Sequence, residues 1–277
     1  MLLFDAHAHI NEERYDDKSR LDLCRKINES RDIAYVVDVG YDLTSSIIAT
    51  EDAENNDWCY ASVGIHPHYA DDMDEETLKE IERLSHLPKV VAIGEIGLDY
   101  HYNNSEKEAQ RYWFRKQIRL ANRLRMPIVI HSRDADKETM DILCDEGAFS
   151  EERKDFFPKR IADEKECDDA RVLIHCYSGS SEMASEYVNL GATISICGPV
   201  TFKNNKKTQR VVKDLSLDAM LIETDSPYLT PEPYRGREND CTNVKFVAEK
   251  IAELKGMTVE EVARTTLWNA KKFYNID

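Results

Sequence analysis

The sequence predicts an α/β protein, a single parallel (β/α)8 barrel of the TIM type covering residues 1–277. Three observations carry that expectation. Eight short apolar runs are spread along the chain, and amphipathic stretches of helical spacing lie between them. The runs are continuous β-branched and aliphatic stretches, not alternating ones, as strands buried on both faces must be. Histidines and carboxylates stand at the ends of most of these runs, where a barrel of this kind opens its active face. The rival architecture, an open doubly wound sheet, would carry GxGxxG after its first strand, and none is there.

Taken in order, the apolar runs are residues 2–5, 34–39, 59–63, 90–94, 127–130, 172–174, 192–196 and 220–222. The clearest helical stretch is 105–124, where Trp113, Ile118, Leu120, Ala121 and Leu124 recur among Arg, Lys and Gln. Shorter ones cover 77–84 and 136–143, and two more, 243–254 and 259–273, follow the last run. Thr258 with Glu261 three residues on has the spacing of a capping box. Residues 147–170 are rich in Glu, Asp, Lys and Arg around Phe156-Phe157-Pro158, and are expected to form an inserted, mobile surface loop. The cations that follow the seventh run, Lys203, Lys206, Lys207 and Arg210, are read as a solvated helix start.

Composition narrows the function. A formal charge of −16 argues against a broad, non-specific grip on nucleic acid but leaves open a nuclease whose cleft is set by metals. Seven cysteines without a CxxC pair fit a reducing, cytoplasmic compartment and no cysteine-held zinc. The start MLLFDAHAHI lacks a basic region before its short apolar stretch, so no signal peptide is expected there. No window reaches membrane-spanning length, and no obligate protein partner is evident.

The chemistry collects at strand ends. His7 and His9 end the first run, His66 follows the third, Glu95 ends the fourth, His131 the fifth, His175 the sixth and Asp225 the eighth. Far apart in sequence, these residues converge if the barrel closes. A set of His and carboxylate donors suits divalent Zn, Mn, Fe or Mg. His7 and His9 are two apart, so one strand face could aim both at one ion. Glu95 offers two oxygens and could bridge two ions. Asp225 would then complete the first site, and His131 with His175 the second.

These blocks resemble the TatD-type metal-dependent deoxyribonucleases, a branch of the amidohydrolase-like barrels. The matching stretches are Asp5-Ala6-His7-Ala8-His9, Gly64-Ile65-His66-Pro67-His68, Gly94-Glu95-Ile96-Gly97-Leu98-Asp99-Tyr100, His131-Ser132-Arg133-Asp134-Ala135, His175-Cys176-Tyr177-Ser178-Gly179, Glu223-Thr224-Asp225-Ser226-Pro227-Tyr228-Leu229 and Trp268-Asn269-Ala270. The resemblance implies hydrolysis of DNA phosphodiesters at single-stranded or frayed ends, 3′ to 5′, with two Mg, Mn or Zn ions. It implies His7, His9, Glu95, His131, His175 and Asp225 as ligands, Asp225 and Glu95 as the catalytic carboxylates, and His66, Arg133 and Tyr100 as substrate contacts. The chain departs from the family pattern at residues 147–170, at Tyr177, where phenylalanine is commoner, and at Cys241, where proline usually falls. Two alternatives stand beside this one. An amide or lactone hydrolase on the same barrel would often use a lysine where Glu95 stands. A non-enzymatic scaffold would have little use for an intact ligand set.

Overall fold

The computed structural model describes residues 1–162 and 165–277. Its ten strands are β1 (Leu3–Ala8), β2 (Ile33–Val39), β3 (Cys59–Val63), β4 (Val90–Asp99), β5 (Ile128–Arg133), β6 (Arg160–Ala162), β7 (Lys165–Cys167), β8 (Val172–Ile174), β9 (Thr193–Ile196) and β10 (Met220–Ile222). Eight of them form one parallel sheet in the order β1-β2-β3-β4-β5-β8-β9-β10, a (β/α)8 barrel with helices between the strands. The ends of the sheet meet at the C-terminal ends of the strands. There the Asp225 N–H donates to the His7 carbonyl (2.9 Å), and the His9 N–H donates to the Ser226 carbonyl (2.8 Å). The seam of the barrel is thus stitched by three candidate site residues and Ser226.

Strand alternation divides each strand between two apolar layers. Outward residues such as Val36, Ile93, Ile130, Ile174 and Ile222 pack in the large core shared with the surrounding helices. Phe4, Val37, Ala92, Val129, Leu173 and Leu221 form a second core with Ala270, Phe273 and Tyr274 of the last helix, Val259–Tyr274. The Tyr274 hydroxyl ties this plug to the strands by donating to the Ala6 carbonyl (2.9 Å). Two residues further along the same inner faces stand His131, His175 and Glu223. One end of the barrel is therefore filled with hydrocarbon, and the other with ionisable groups. Thr258 and Glu261 form the expected capping box at the start of the last helix.

The inner half of the 147–170 segment departs from the expected mobile loop. Ala148 and Phe149 are buried, and Ser150 caps a short helix, Glu151–Lys154. Arg153 is among the largest fully buried side chains. Its guanidinium donates to Ala170 O, Asn122 Oδ1 and Met126 O, each at 2.8 Å, and so pins the segment to the barrel. A charge-rich composition read as solvated hides this one arginine, whose partners are mainly carbonyls that no sequence pattern marks. Beyond it, β6 and β7 form an antiparallel pair on which Ile161 is exposed. No helix among the described residues is long and apolar enough to cross a membrane.

Candidate metal centre

Two irregularities in the sheet aim the central side chains. Between Asp5 and Ala8 strand β1 advances three residues while β2 advances two, from Val36 to Asp38. Between Ile93 and Ile96 strand β4 does the same against Ile128 and Ile130 of β5. A bulge of this kind adds one unpaired residue and turns a side chain off the regular alternation. His7 lies in the first and Glu95 in the second. Simple two-residue alternation therefore does not account for the His7/His9 pair, since a bulge intervenes and His9 lies just past the end of β1. The next pairing after the second bulge brings Gly97 opposite His131, where an added Cβ would collide with the His131 carbonyl oxygen. Only glycine lets these two strands approach here.

Glu95 is the centre of the cluster, 3% exposed. Its Oε2 faces His7 Nε2 (3.4 Å) and His9 Nε2 (3.8 Å). Its Oε1 faces His131 Nδ1 (2.7 Å), His175 Nε2 (2.8 Å) and His66 Nε2 (3.7 Å). Asp225 Oδ1 joins the first side, 3.5 Å from His9 Nε2 and 3.8 Å from His7 Nε2. The six candidate ligands are thus brought together. Two groups of residues, His7/His9/Glu95 and His66/Glu95/His131, each hold donor atoms close enough for one cation, and they share Glu95. This donor set of imidazole and carboxylate fits a divalent metal. His66, expected only beside substrate, lies inside the cluster.

Carbonyl and carboxylate oxygens stand behind the rings, from Val39, Glu223 and Asp99. The His9 Nδ1–H donates to Val39 O (2.7 Å), which leaves Nε2 free as a donor atom. Glu223 Oε1 stands 3.3 Å from His175 Nδ1 and also accepts the Cys176 N–H (2.6 Å). Asp99 Oδ2 lies 3.0 Å from both His131 Nε2 and His68 Nε2. Carboxylates placed behind ligand histidines set the tautomer and raise basicity. A signal for both carboxylates was available, because Asp99 ends the strand that carries Glu95, and Glu223 follows β10 directly, two residues before Asp225.

Electrostatics follow from this packing. Burial pushes the Glu95 carboxyl up, but His175, His66 and His131 outweigh it and hold Glu95 well below the usual carboxylate range. Asp225 behaves alike, with burial opposed by His9, His175 and His7. Burial lowers His66 well below its ordinary value, and neighbouring His131 lowers it further, so this ring is neutral near pH 7, with its Nδ1 accepting the His68 N–H (3.1 Å).

The cluster forms the floor of a 640 Å³ pocket. Tyr41, Tyr69, Tyr102, Tyr228 and Arg133 stand around its wall. The Arg133 guanidinium lies 4.6 Å over the Tyr102 ring, at the expected rim position. Tyr100 is not there. Its hydroxyl donates to Glu138 (2.7 Å) and accepts from Arg111 (3.2 Å), and Lys107 covers its ring at 4.1 Å. Since β4 runs on to Asp99, which faces His131, alternation turns Tyr100 outward among the helices, and Tyr102 takes the rim position. The cations after β9 also lie outside the pocket lining, and Arg210 pairs with Asp214 and Glu182.

A (β/α)8 barrel with a histidine–carboxylate cluster at the C-terminal mouth defines a metal-dependent hydrolase class. Comparison with known proteins narrows it. The family model described as "TatD related DNase" matches residues 4–275. A Bacillus subtilis protein described as "Uncharacterized metal-dependent hydrolase YabD" is 44% identical over 276 residues, covering 100% of both chains. An Erwinia tasmaniensis protein named "3'-5' ssDNA/RNA exonuclease TatD" is 30% identical over 228 residues, 80% of this chain and 81% of that one. The crystal structure of YJJV, a TatD homologue from Escherichia coli, superposes with a TM-score of 0.85 at 24% identity, over 99% of this chain and 98% of the other. The chain belongs to the TatD-related family of metal-dependent hydrolases.

Proposed function

We propose that the protein is a deoxyribonuclease that removes nucleotides from the 3′ end of single-stranded or frayed DNA, using two divalent ions (Mg, Mn or Zn). The observation that carries the reading is the division of Glu95, one oxygen toward His7 and His9 and the other toward His131, His175 and His66. Two cations a few ångströms apart would neutralise a phosphodiester and ease loss of its leaving oxygen. The named exonuclease among the relatives supports the same substrate class. Asp225, open to the pocket at its edge, takes the proton from the attacking water. Arg133 and Tyr102 hold the incoming strand, the cation at a phosphate and the ring against a base. The pocket is a recess, so an unpaired end enters it more readily than a duplex.

The test is an end-labelled oligonucleotide, single-stranded or duplex, with Mg or Mn. The expected result is a ladder shortening from the 3′ end, faster on the single strand, with Asp225→Asn losing at least ~10²-fold in kcat and little in KM. Hydrolysis of a small amide or lactone with no DNA cut under any metal would replace this reading by that of an amide or lactone hydrolase on the same barrel. Inertness toward all of them would leave a metal-binding scaffold.

A further inference from the structure

A second cleft, away from the metal centre, lies at the opposite end of the barrel. It has a volume of 710 Å³ and shares no lining residue with the 640 Å³ pocket. Arg171 and Thr193 mark its floor, at the starting ends of β8 and β9. The β6 edge forms one wall and the last helix, with Arg264, Trp268 and Lys272, the other.

Its charge runs against that of the whole molecule. The chain has 37 Lys and Arg against 53 Asp and Glu, yet the lining holds Lys159, Arg160, Arg171, Arg264 and Lys272 against Asp169 and Asp218. Lys159 faces Asp168 at 3.5 Å, whereas Arg160, Arg264 and Lys272 have no carboxylate within 4 Å among the described residues. Arg171 is 4% exposed, its Nε has no hydrogen-bond acceptor, and the nearest carboxylate, Asp169, is 4.0 Å away. Arg160 spends its terminal nitrogens on the Ala192 and Val188 carbonyls and Thr193 Oγ1, and its buried Nε also has no acceptor. A buried guanidinium whose nearest carboxylate stands 4.0 Å away and leaves its Nε without an acceptor is incompletely satisfied, and an anionic ligand would relieve that cost. Beside these cations Trp268 is 59% exposed, with Lys272 Nζ 4.5 Å from its ring. Large exposed aromatics at a basic cleft offer a planar face on which a base can stack.

We infer that this cleft is a second ligand site, for a mononucleotide-sized organic phosphate, with the phosphate toward Arg171 and Arg264 and the base on Trp268. The cleft has the volume of a small-molecule site. A long strand is the less suitable occupant, because the formal charge of −16 repels its phosphates wherever they leave the cleft. The cleft shares no lining residue with the metal centre, so binding there can be read separately from turnover.

Titration of the full-length, metal-loaded protein with deoxyadenosine 5′-monophosphate, followed by calorimetry and tryptophan emission, tests the assignment. The expected result is saturable quenching that disappears in Trp268→Phe and persists in Asp225→Asn. Inorganic phosphate and deoxyadenosine should each bind more weakly than the nucleotide. The surface variant Arg264→Glu/Lys272→Glu, which leaves Arg171 in place and the fold undisturbed, should weaken binding ~10-fold or more, the loss of about one charge-assisted contact, with turnover at the metal centre unchanged. Undiminished affinity in that variant overturns the site. So does quenching lost in Asp225→Asn, which would put the nucleotide at the metal centre. An oligonucleotide binding tighter than the mononucleotide, with the same dependence on Arg264 and Lys272, would overturn the choice of ligand.

Discussion

At the scale of single residues, Glu95 decides more than any other group. Five imidazoles approach its two oxygens within 4 Å, and its backbone lies in the β4 bulge. Replacing one oxygen by NH2 keeps the shape and removes both the charge and one donor atom. Glu95→Gln is therefore expected to bind less metal, measured by elemental analysis after dialysis, and to lose at least ~10²-fold in kcat. Its far-ultraviolet circular dichroism should match the parent, because the barrel is held by its two apolar layers. Full metal content with normal turnover would show Glu95 to be structural. The six candidate ligands were legible in the sequence because each lies at or just beyond the end of an apolar run, and a barrel brings the ends of such runs together. Asp99 and Glu223 were less so, since they act through His131 and His175, and such contacts depend on ring orientation. Tyr100 was misplaced for a related reason: the side of the strand on which it falls depends on where the strand stops.

At the scale of elements, the runs 59–63, 172–174 and 220–222 coincide with strands, while β4 and β5 extend past the apolar runs that announced them. The extensions carry Glu95, Asp99 and His131, polar residues that end a hydrophobic pattern without ending the ladder. Burial of carboxylates between elements was equally invisible. Asp52, on the helix Leu43–Asn55, meets Asp38 of β2 where both are buried, and each leaves one oxygen without a hydrogen bond. Asp38 has a task, since its other oxygen accepts the Ile10 N–H (2.8 Å) and the Asn11 N–H (3.3 Å), the backbone that follows His9. Burial raises Asp38 well above its ordinary value and, against the pull of Arg20, raises Asp52 to about 6. A carboxyl whose folded value is raised contributes stability below its unfolded value, near ~4, and loses it as pH rises through the folded one. The neutral Asp52→Asn side chain removes that loss. The variant is expected to be more stable than the parent at pH 7, by up to ~3 kcal/mol, with the difference shrinking toward pH 4. Urea unfolding at the two pH values checks this, and a difference independent of pH would show that the two carboxyls do not share a proton.

At the scale of the whole molecule, the barrel is polar along its axis. Phe4, Leu173 and Tyr274 fill one end of the interior, the ionisable cluster fills the other, and the outer surface is strongly acidic. That distribution limits how a polyanion can be held. Among the described residues lining the 640 Å³ pocket, Arg133 is the single Lys or Arg, and Glu12 and Glu13 share the wall with it. Attraction for DNA must then come mainly from bound cations at the bottom of the pocket and act on the one or two phosphates that reach them. Beyond the rim the acidic surface repels the strand. Each phosphate neutralised on single-stranded DNA contributes about −0.7 to the slope of log affinity against log salt. For one or two contacts, kcat/KM on a single-stranded oligonucleotide should fall with a slope of roughly −0.7 to −1.4. It should also change little when the strand is lengthened beyond a few nucleotides. Initial rates between low and physiological salt, on short and long oligonucleotides at fixed metal, measure both quantities. A steep slope that grows with strand length would mean that DNA is gripped along an extended surface, and the short-contact picture of the pocket would have to be given up.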